Sequence, residues 1–341
     1  MLHELLLTLS GHPGDVFAPS FNTPARDGEG FSIPPDFPFL HSAERYALER
    51  LAVLGYYYQN FTTFINSGRK GTYASRRSNR NDTNGPYGSY FRAFCSTLDK
   101  ELEEYRELII ECETRILSKL DLETDGGRTP VSYLEHKFAK FHLVFPHIND
   151  VISVIDANPA VVHGMRLLNL LHERNATGLP YLREMFTRLL LGTSQVFIKQ
   201  LVAWVAYGQL IDPHLEFFVR VNRKAGNVEH KGKNGTLAQE QTKWQSEYVL
   251  DSSFSPKFIG SNIGDEVLFI GKAVNVINQL DERNGIPEFA FARLSPITEH
   301  DLNRSFWTIL KKSGMTDNDA LSDNIKFEIL KRGTITSCLS S

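Results

Sequence analysis

Cysteine is scarce in this chain: there are three in 341 residues, and Cys95, Cys112 and Cys338 stand far apart with no CxxC pair. That usage argues against a disulfide framework and a structural zinc site, and it fits a reducing cytosol. Net charge is also lacking. The formal balance is −3 and the isoelectric point is near 6.4, so bulk electrostatics give no reason to expect nucleic acid as a partner. No run reaches the ~18 uninterrupted apolar residues of a membrane span. The opening Met1 to Leu7 is too short for a signal peptide and carries Glu4 where such a segment is apolar. The Asn-x-Ser/Thr matches at Asn60, Asn81, Asn175, Asn234 and Asn303 then read as chance.

Catalytic signatures are missing too. The sequence has no GxGxxG or GxxxxGK[ST] phosphate loop, no GxSxG elbow, no HExxH and no kinase signature set. His136 and His142 lie six apart, which is not the i, i+4 spacing that places two ligands on one helix face. The acidic runs Glu101-Leu-Glu-Glu and Glu111-Cys-Glu fall on the polar side of an amphipathic pattern and read as a solvated face. Cys112 falls on the apolar side, where a thiol is buried and inert. No catalytic residue, cofactor or metal site is expected.

What is present is helical periodicity, on a normal globular balance of 41% hydrophobic and 23% charged residues, with 23 phenylalanines to fill helix–helix cores. From about Tyr90 to Leu120, the set Leu98, Leu102, Tyr105, Ile109, Cys112, Ile116 and Leu120 recurs every three or four residues. From Val131 to Ala157, Leu134, Phe138, Phe141, Phe145, Ile148, Ile152 and Ile155 do the same, with Pro146 placed to kink or split that helix. The Gly/Pro-bearing stretch between them makes an antiparallel pair.

Further helices are predicted over Leu2–Leu9, over Ala43–Ile65 with Ser42 as cap, and from Pro159 to about Arg174. Others are predicted over Pro180 to about Leu191, Ser194 to about Tyr207, Ser261 to about Leu280 and Thr298 to about Lys311. His214 to Val221 is short, aromatic and β-branched, and reads as a strand with a partner in Trp244–Leu250. Residues 18–36, 66–88 and 222–243 read as mobile inserts, and 313–341 as a poorly anchored tail. The expected fold is all-α, an elongated stack of helical bundles with a small β-hairpin near residues 214–250. It forms one helical domain over 1–312.

Several segments resemble the gamma-tubulin complex component family. They are Met1 to Gly11, Asp36-Phe-Pro-Phe-Leu-His41, Leu201 to Val219 with its helix, Gly208, Leu210-Ile-Asp212 turn and Glu216-Phe-Phe218, and then Trp244, Tyr248 and Val267 to Asn275. The matches cover roughly residues 1–310. The resemblance implies a helical N-terminal half that associates side by side with other components in a template for microtubule nucleation. It implies a cytoplasmic, cytoskeletal location at microtubule organizing centres, and it supplies no catalytic residues.

Contact with gamma-tubulin belongs in that family mainly to a C-terminal half that is missing from this sequence, so any such contact is expected to be indirect or to run through that missing half. The other expected partners are sister components, with no nucleic acid and no membrane. For the associating face, Leu5, Leu9, Tyr46, Leu54 and Phe61 are the candidates, each weighed against plain core packing. The alternative is a helical module that uses the basic arm Arg69 to Arg80 for acidic partners such as nucleic acid or tubulin tails.

Overall fold

The computed structural model describes residues 1–20, 30–35, 37–38, 40–70, 88–120, 130–158, 161–222, 247–258 and 261–284. Its elements are α1 (Leu2–Leu9), β1 (Ala18–Ser20), β2 (Gly30–Ser32), α2 (Ser42–Lys70), α3 (Ser89–Leu120), α4 (Val131–Ala157), α5 (Met165–Asn175), α6 (Pro180–Tyr207), β3 (Val219–Val221), β4 (Tyr248–Leu250), a 3-10 turn (Ser252–Phe254) and α7 (Ser261–Asn284). The fold is mostly α, as the periodicity predicts, with two small antiparallel strand pairs, of which β3–β4 is the expected hairpin. The helix expected over 298–311 and the tail 313–341 lie outside the described residues, as do most of the three expected inserts.

The chain divides into two compact units. The first comprises Met1–Gly85, Phe94–Ala160 and Thr177–Met185; the second comprises Pro86–Ala93, Val161–Ala176 and Phe186–Ser341. In the first, α2 packs on α1, α4 and β2. The predicted stripes of α3 and α4 form its interior: Leu98, Leu102, Tyr105, Phe138, Phe145 and Ile155 are each at most 1% exposed. Tyr105 is the hub, with ring centroids 5.3 Å from Tyr58, 5.6 Å from Phe138, 5.0 Å from Phe141 and 4.9 Å from Phe145. Each such pair adds about 0.5–1.5 kcal/mol beyond area burial. The Tyr105 hydroxyl donates to the Leu9 carbonyl at 2.9 Å, tying the end of α1 to this cluster.

Several boundaries differ from the sequence reading: α2 runs to Lys70, five residues into the expected insert, α5 starts at Met165 and not at Pro159, and three further differences have a local reason. The helix cap falls to His41, whose Nδ1 accepts from the Ala43 amide at 3.2 Å, and Ser42 becomes the first helical residue. Pro146 does not split α4, because Phe145 and Ile148 are buried to either side and hold the helix together across it. Residues 180–207 form one helix where two were expected. Gly192 and Ser194 sit inside α6, the hydroxyls of Thr193 and Ser194 donate back to the carbonyls of Leu189 and Leu191, and Leu189, Leu190, Phe197 and Ile198 are buried around them.

By length and composition α6 could cross a bilayer, with a mean hydropathy of 1.4, but 61% of that window is buried inside the chain, as in a core helix. The stretch after α1, expected to be all loop, contains the antiparallel pair β1–β2, with Pro19 opposite Phe31.

In the second unit, Trp204 of α6 is fully buried, and its Nε1 donates to the Val267 carbonyl of α7 at 3.0 Å. The side-chain amides of Asn275 and Asn278 on α7 donate at 2.8 Å to the carbonyls of Gly208 and Tyr207, satisfying the C-terminal end of α6. The predicted hairpin is present as β3 and β4, paired antiparallel with Arg220 opposite Val249. Its first strand is shorter than expected: residues 212–217 form a turn organised by Asp212, whose carboxylate accepts from the amides of Glu216 at 3.0 Å and Phe217 at 2.8 Å.

Candidate interaction surfaces

Four of the five residues singled out from the sequence point inward. Leu5, Leu9, Leu54 and Phe61 are each 0% exposed, whereas Tyr46 is 59% exposed on the first turns of α2. Leu5 and Leu9 lie on α1, which packs against α2, and Phe61 of α2 sets its ring 5.2 Å from that of Phe145 on α4. At Gly55 an added Cβ would lie 1.9 Å from the Thr8 carbonyl oxygen, so α2 lets the α1 backbone approach only because that position carries no side chain. Tyr46 extends the same apolar series one step too far toward the helix start and emerges at the surface.

Other large apolar side chains at the surface were not singled out. On α3, Ile110 at 60% and Leu117 at 50% exposure lie seven residues apart on one outward stripe with Glu103, Glu107 and Thr114. In the second unit, Val202, Ala203, Tyr207 and Ile211, with Lys199 and Gln209, line an open cleft of about 370 Å³. Tyr207 and Ile211 are more than half exposed at its rim. Sequence periodicity carried a signal for Ile110, Leu117 and Tyr207, since each falls off the buried stripe of its own helix, whereas Ile211 follows the end of α6.

Of the basic arm, Arg69 pairs with Asp99 at 2.6 Å, and residues 71–80 lie outside the described residues.

The titratable groups with displaced pKa values do not converge on the cleft. Burial pushes the Cys95 thiol up to about 12 and raises Cys112, which keeps both protonated and unreactive. Burial also lowers His142 to about 4, with the neighbouring Arg50 charge acting in the same direction. Among the described residues no group of three His, Cys, Asp or Glu could hold a metal.

Among the described residues, a dense polar cluster lies inside the second unit. Tyr90 donates to Gln200 Oε1 at 2.7 Å, Gln200 Nε2 reaches the Ile211 carbonyl at 3.4 Å, and Glu216 accepts from the Ser89 amide at 2.7 Å. Glu216 is 1% exposed, and burial raises its carboxyl to about 7 against the pull of amide donors. The sequence reading placed Glu216 in a strand. Its partner Ser89 is 127 residues away along the chain, and no local pattern announces such a pairing.

The model of the family described as "Gamma tubulin complex component N-terminal" matches residues 2–326. The chain is 29% identical to human gamma-tubulin complex component 4 over 300 residues, covering 81% of this chain and 43% of that protein. It is 30% identical to the Arabidopsis thaliana component 4 over 328 residues, covering 86% of this chain and 42% of that protein. A more distant similarity, 24% over 180 residues, covers 53% of this chain and 20% of the Schizosaccharomyces pombe spindle pole body component alp6. The chain thus spans about two-fifths of the length of the component 4 relatives it matches. With helices placed as that resemblance implied and a family match over nearly its whole length, the chain belongs to the gamma-tubulin complex component family.

Proposed function

We propose that this chain is a structural, non-catalytic part of a gamma-tubulin complex, associating side by side with other components where microtubules are nucleated. The observation that carries this reading is the family match over residues 2–326, supported by similarity both to component 4 proteins and to a spindle pole body component. A rigid helical interior with large apolar side chains left at the surface suits a protein that works by presenting faces to other proteins. Of the expected associating residues, Tyr46 is the one available to a partner, and burial of Leu54 and Phe61 further along α2 holds the helix that displays it. The proposed location is the cytoplasmic microtubule organizing centre, at centrosome or spindle pole. Contact with gamma-tubulin itself runs either through the other components or through a C-terminal half of the kind the relatives' additional length would hold.

The test is affinity purification of the full chain from cytosol followed by size fractionation. Co-migration with gamma-tubulin and its companions is expected, and a chain that never enters such a particle refutes the reading. Tyr46→Glu is expected to weaken that co-migration at unchanged thermal stability. Undiminished co-migration of this variant would remove the face around Tyr46 from the proposal.

A further inference from the structure

Along α3 the exposed positions Lys100, Glu103, Glu107, Ile110, Thr114 and Leu117 follow one another at alternating intervals of three and four residues. That alternation is the seam of a coiled coil, the spacing that keeps one helix in continuous contact with a second. The inward stripe of the same helix, through Leu98, Leu102, Tyr105, Ile109, Cys112 and Ile116, is a different face and is already buried. On the outer seam the two apolar members stay open, Ile110 at 60% and Leu117 at 50% exposure.

The outer seam is divided along its length. Glu103 and Glu107 make one half acidic, and Ile110 and Leu117, with Thr114 between them, make the other half apolar. Acids on the flanks of α3 are balanced from neighbouring helices. Glu104 pairs with Lys140 at 2.7 Å and Glu111 with Lys137 at 2.9 Å, both from α4, and Asp99 holds Arg69 of α2 and Arg106. Arg115 lies over the Tyr133 ring, 4.1 Å from its centroid. These cations are committed to the flanks, and among the described residues Glu103, Glu107 and the adjoining Glu113 make no ion pair.

We infer that the outer seam of α3 seats a basic amphipathic helix of a partner protein, whose lysines or arginines meet Glu103 and Glu107 and whose apolar side chains cover Ile110 and Leu117. Charge complementarity selects this occupant. Nucleic acid or an anionic lipid surface would bring negative charge to three uncompensated glutamates. A second copy of the chain would set those glutamates against the apolar half when antiparallel and against themselves when parallel. From Glu103 to Leu117 the seam runs about 21 Å, or four helical turns, which a partner helix of about 14–18 residues covers. Burial of the apolar half supplies the attraction, and the solvent-exposed ion pairs choose the partner and its register. The surface goes beyond the proposed function, since any protein carrying such a helix can fill it, and it can be tested on the purified chain without gamma-tubulin.

Fluorescence anisotropy of labelled synthetic helices against the full chain reads the interaction. The probes are two peptides of about 18 residues, with lysine at the seam positions of one half and leucine at those of the other, in the two possible orders, and their counterparts with glutamate for lysine. One lysine peptide is expected to bind, more weakly as salt is raised, and its glutamate counterpart about ten-fold less tightly. The double variant Ile110→Ser, Leu117→Ser should weaken that binding about ten-fold. The double variant Glu103→Lys, Glu107→Lys should invert the preference, so that the glutamate peptide binds the better. All four positions are exposed, so thermal unfolding should be unchanged. Should the lysine variant fold poorly, Glu103→Gln, Glu107→Gln replaces it, and loss of the salt dependence and of the lysine preference is the expected result. Failure of both lysine peptides to bind, equal binding of lysine and glutamate peptides, or binding unchanged in the variants overturns the inference. So does self-association in sedimentation that the lysine variant abolishes, which would assign the seam to a second copy.

Discussion

Replacing Gly55 by alanine sets two effects of opposite sign against each other, and the structure says which is larger. Gly55 lies inside α2, where exchange of glycine for alanine ordinarily stabilises a helix by about 1 kcal/mol. Here the new methyl carbon would stand 1.9 Å from the Thr8 oxygen, 2.7 Å from the Thr8 carbonyl carbon and 3.1 Å from the Leu9 Cα. All three are backbone atoms, so no side chain can swing aside and α1 itself must move. Leu5, Leu6 and Leu9, each at most 5% exposed, hold α1 in place. Full undocking would forfeit about 1.5–3 kcal/mol for each of these leucines, whereas a partial shift carries the about 1–3 kcal/mol typical of overpacking.

The smaller movement is the cheaper response; a 1.9 Å clash with backbone puts it in the upper part of that range, about 2–3 kcal/mol, so after the helix gain the expected net loss is about 1–2 kcal/mol. Two compact units need not unfold together, so the assay should be local. Amide exchange at residues 5–9 should accelerate about ten-fold, the equivalent of 1.4 kcal/mol, alongside a lowered urea midpoint. An alanine variant equal to or more stable than the parent, with α1 protection intact, would refute the close-approach argument.

Tyr105→Phe removes the donor to the Leu9 carbonyl while keeping the ring, so a loss of about 1–2 kcal/mol in urea titration is expected, again focused on α1 exchange. Gly271→Ala would place a methyl carbon 2.0 Å from Trp204 Cε2 in a fully buried ring, and should destabilise the second unit by about 2–3 kcal/mol and shift tryptophan emission to longer wavelength.

Legibility in the sequence follows the range of the interaction that fixes each feature. The stripes of α3 and α4 were readable because a 3.6-residue period is a local signal repeated over many turns. Tyr105 and Phe138 could be assigned to a core before either had a partner. The continuity of α6 was misread, with one helix ended near Leu191 and a second opened at Ser194 across Gly192, although its end at Tyr207 was read correctly. A single glycine weakens a helix by only about 1 kcal/mol, and burial of Leu189, Leu190, Phe197 and Ile198 on both sides outweighs it. The turn at Asp212 was legible, but its continuation over 214–217 was misread as strand because Phe217 and Phe218 have strand-like side chains, while the conformation is set by the Asp212 carboxylate gathering two amides. The Glu216 cluster was not legible at all. It depends on Gly88, Gly164 and Ser89 arriving from distant parts of the chain, and isolated glycines in a sequence do not say what they approach.

The distribution of exposure also decides how any associating face can be found. A substitution at Leu5, Leu9, Leu54 or Phe61 would open a cavity costing about 2–5 kcal/mol, enough to unfold a marginally stable domain. Loss of association in such a variant would therefore report on folding and say nothing about contact. At Tyr46, 59% exposed on α2, or at Ile110 and Leu117 on α3, a charge can be introduced with little effect on the interior. A loss of association at constant stability then locates the partner. The positions that the apolar pattern marks most strongly are the ones least able to reveal a binding surface. The informative residues are the apolar ones that break step with the stripe of their own helix.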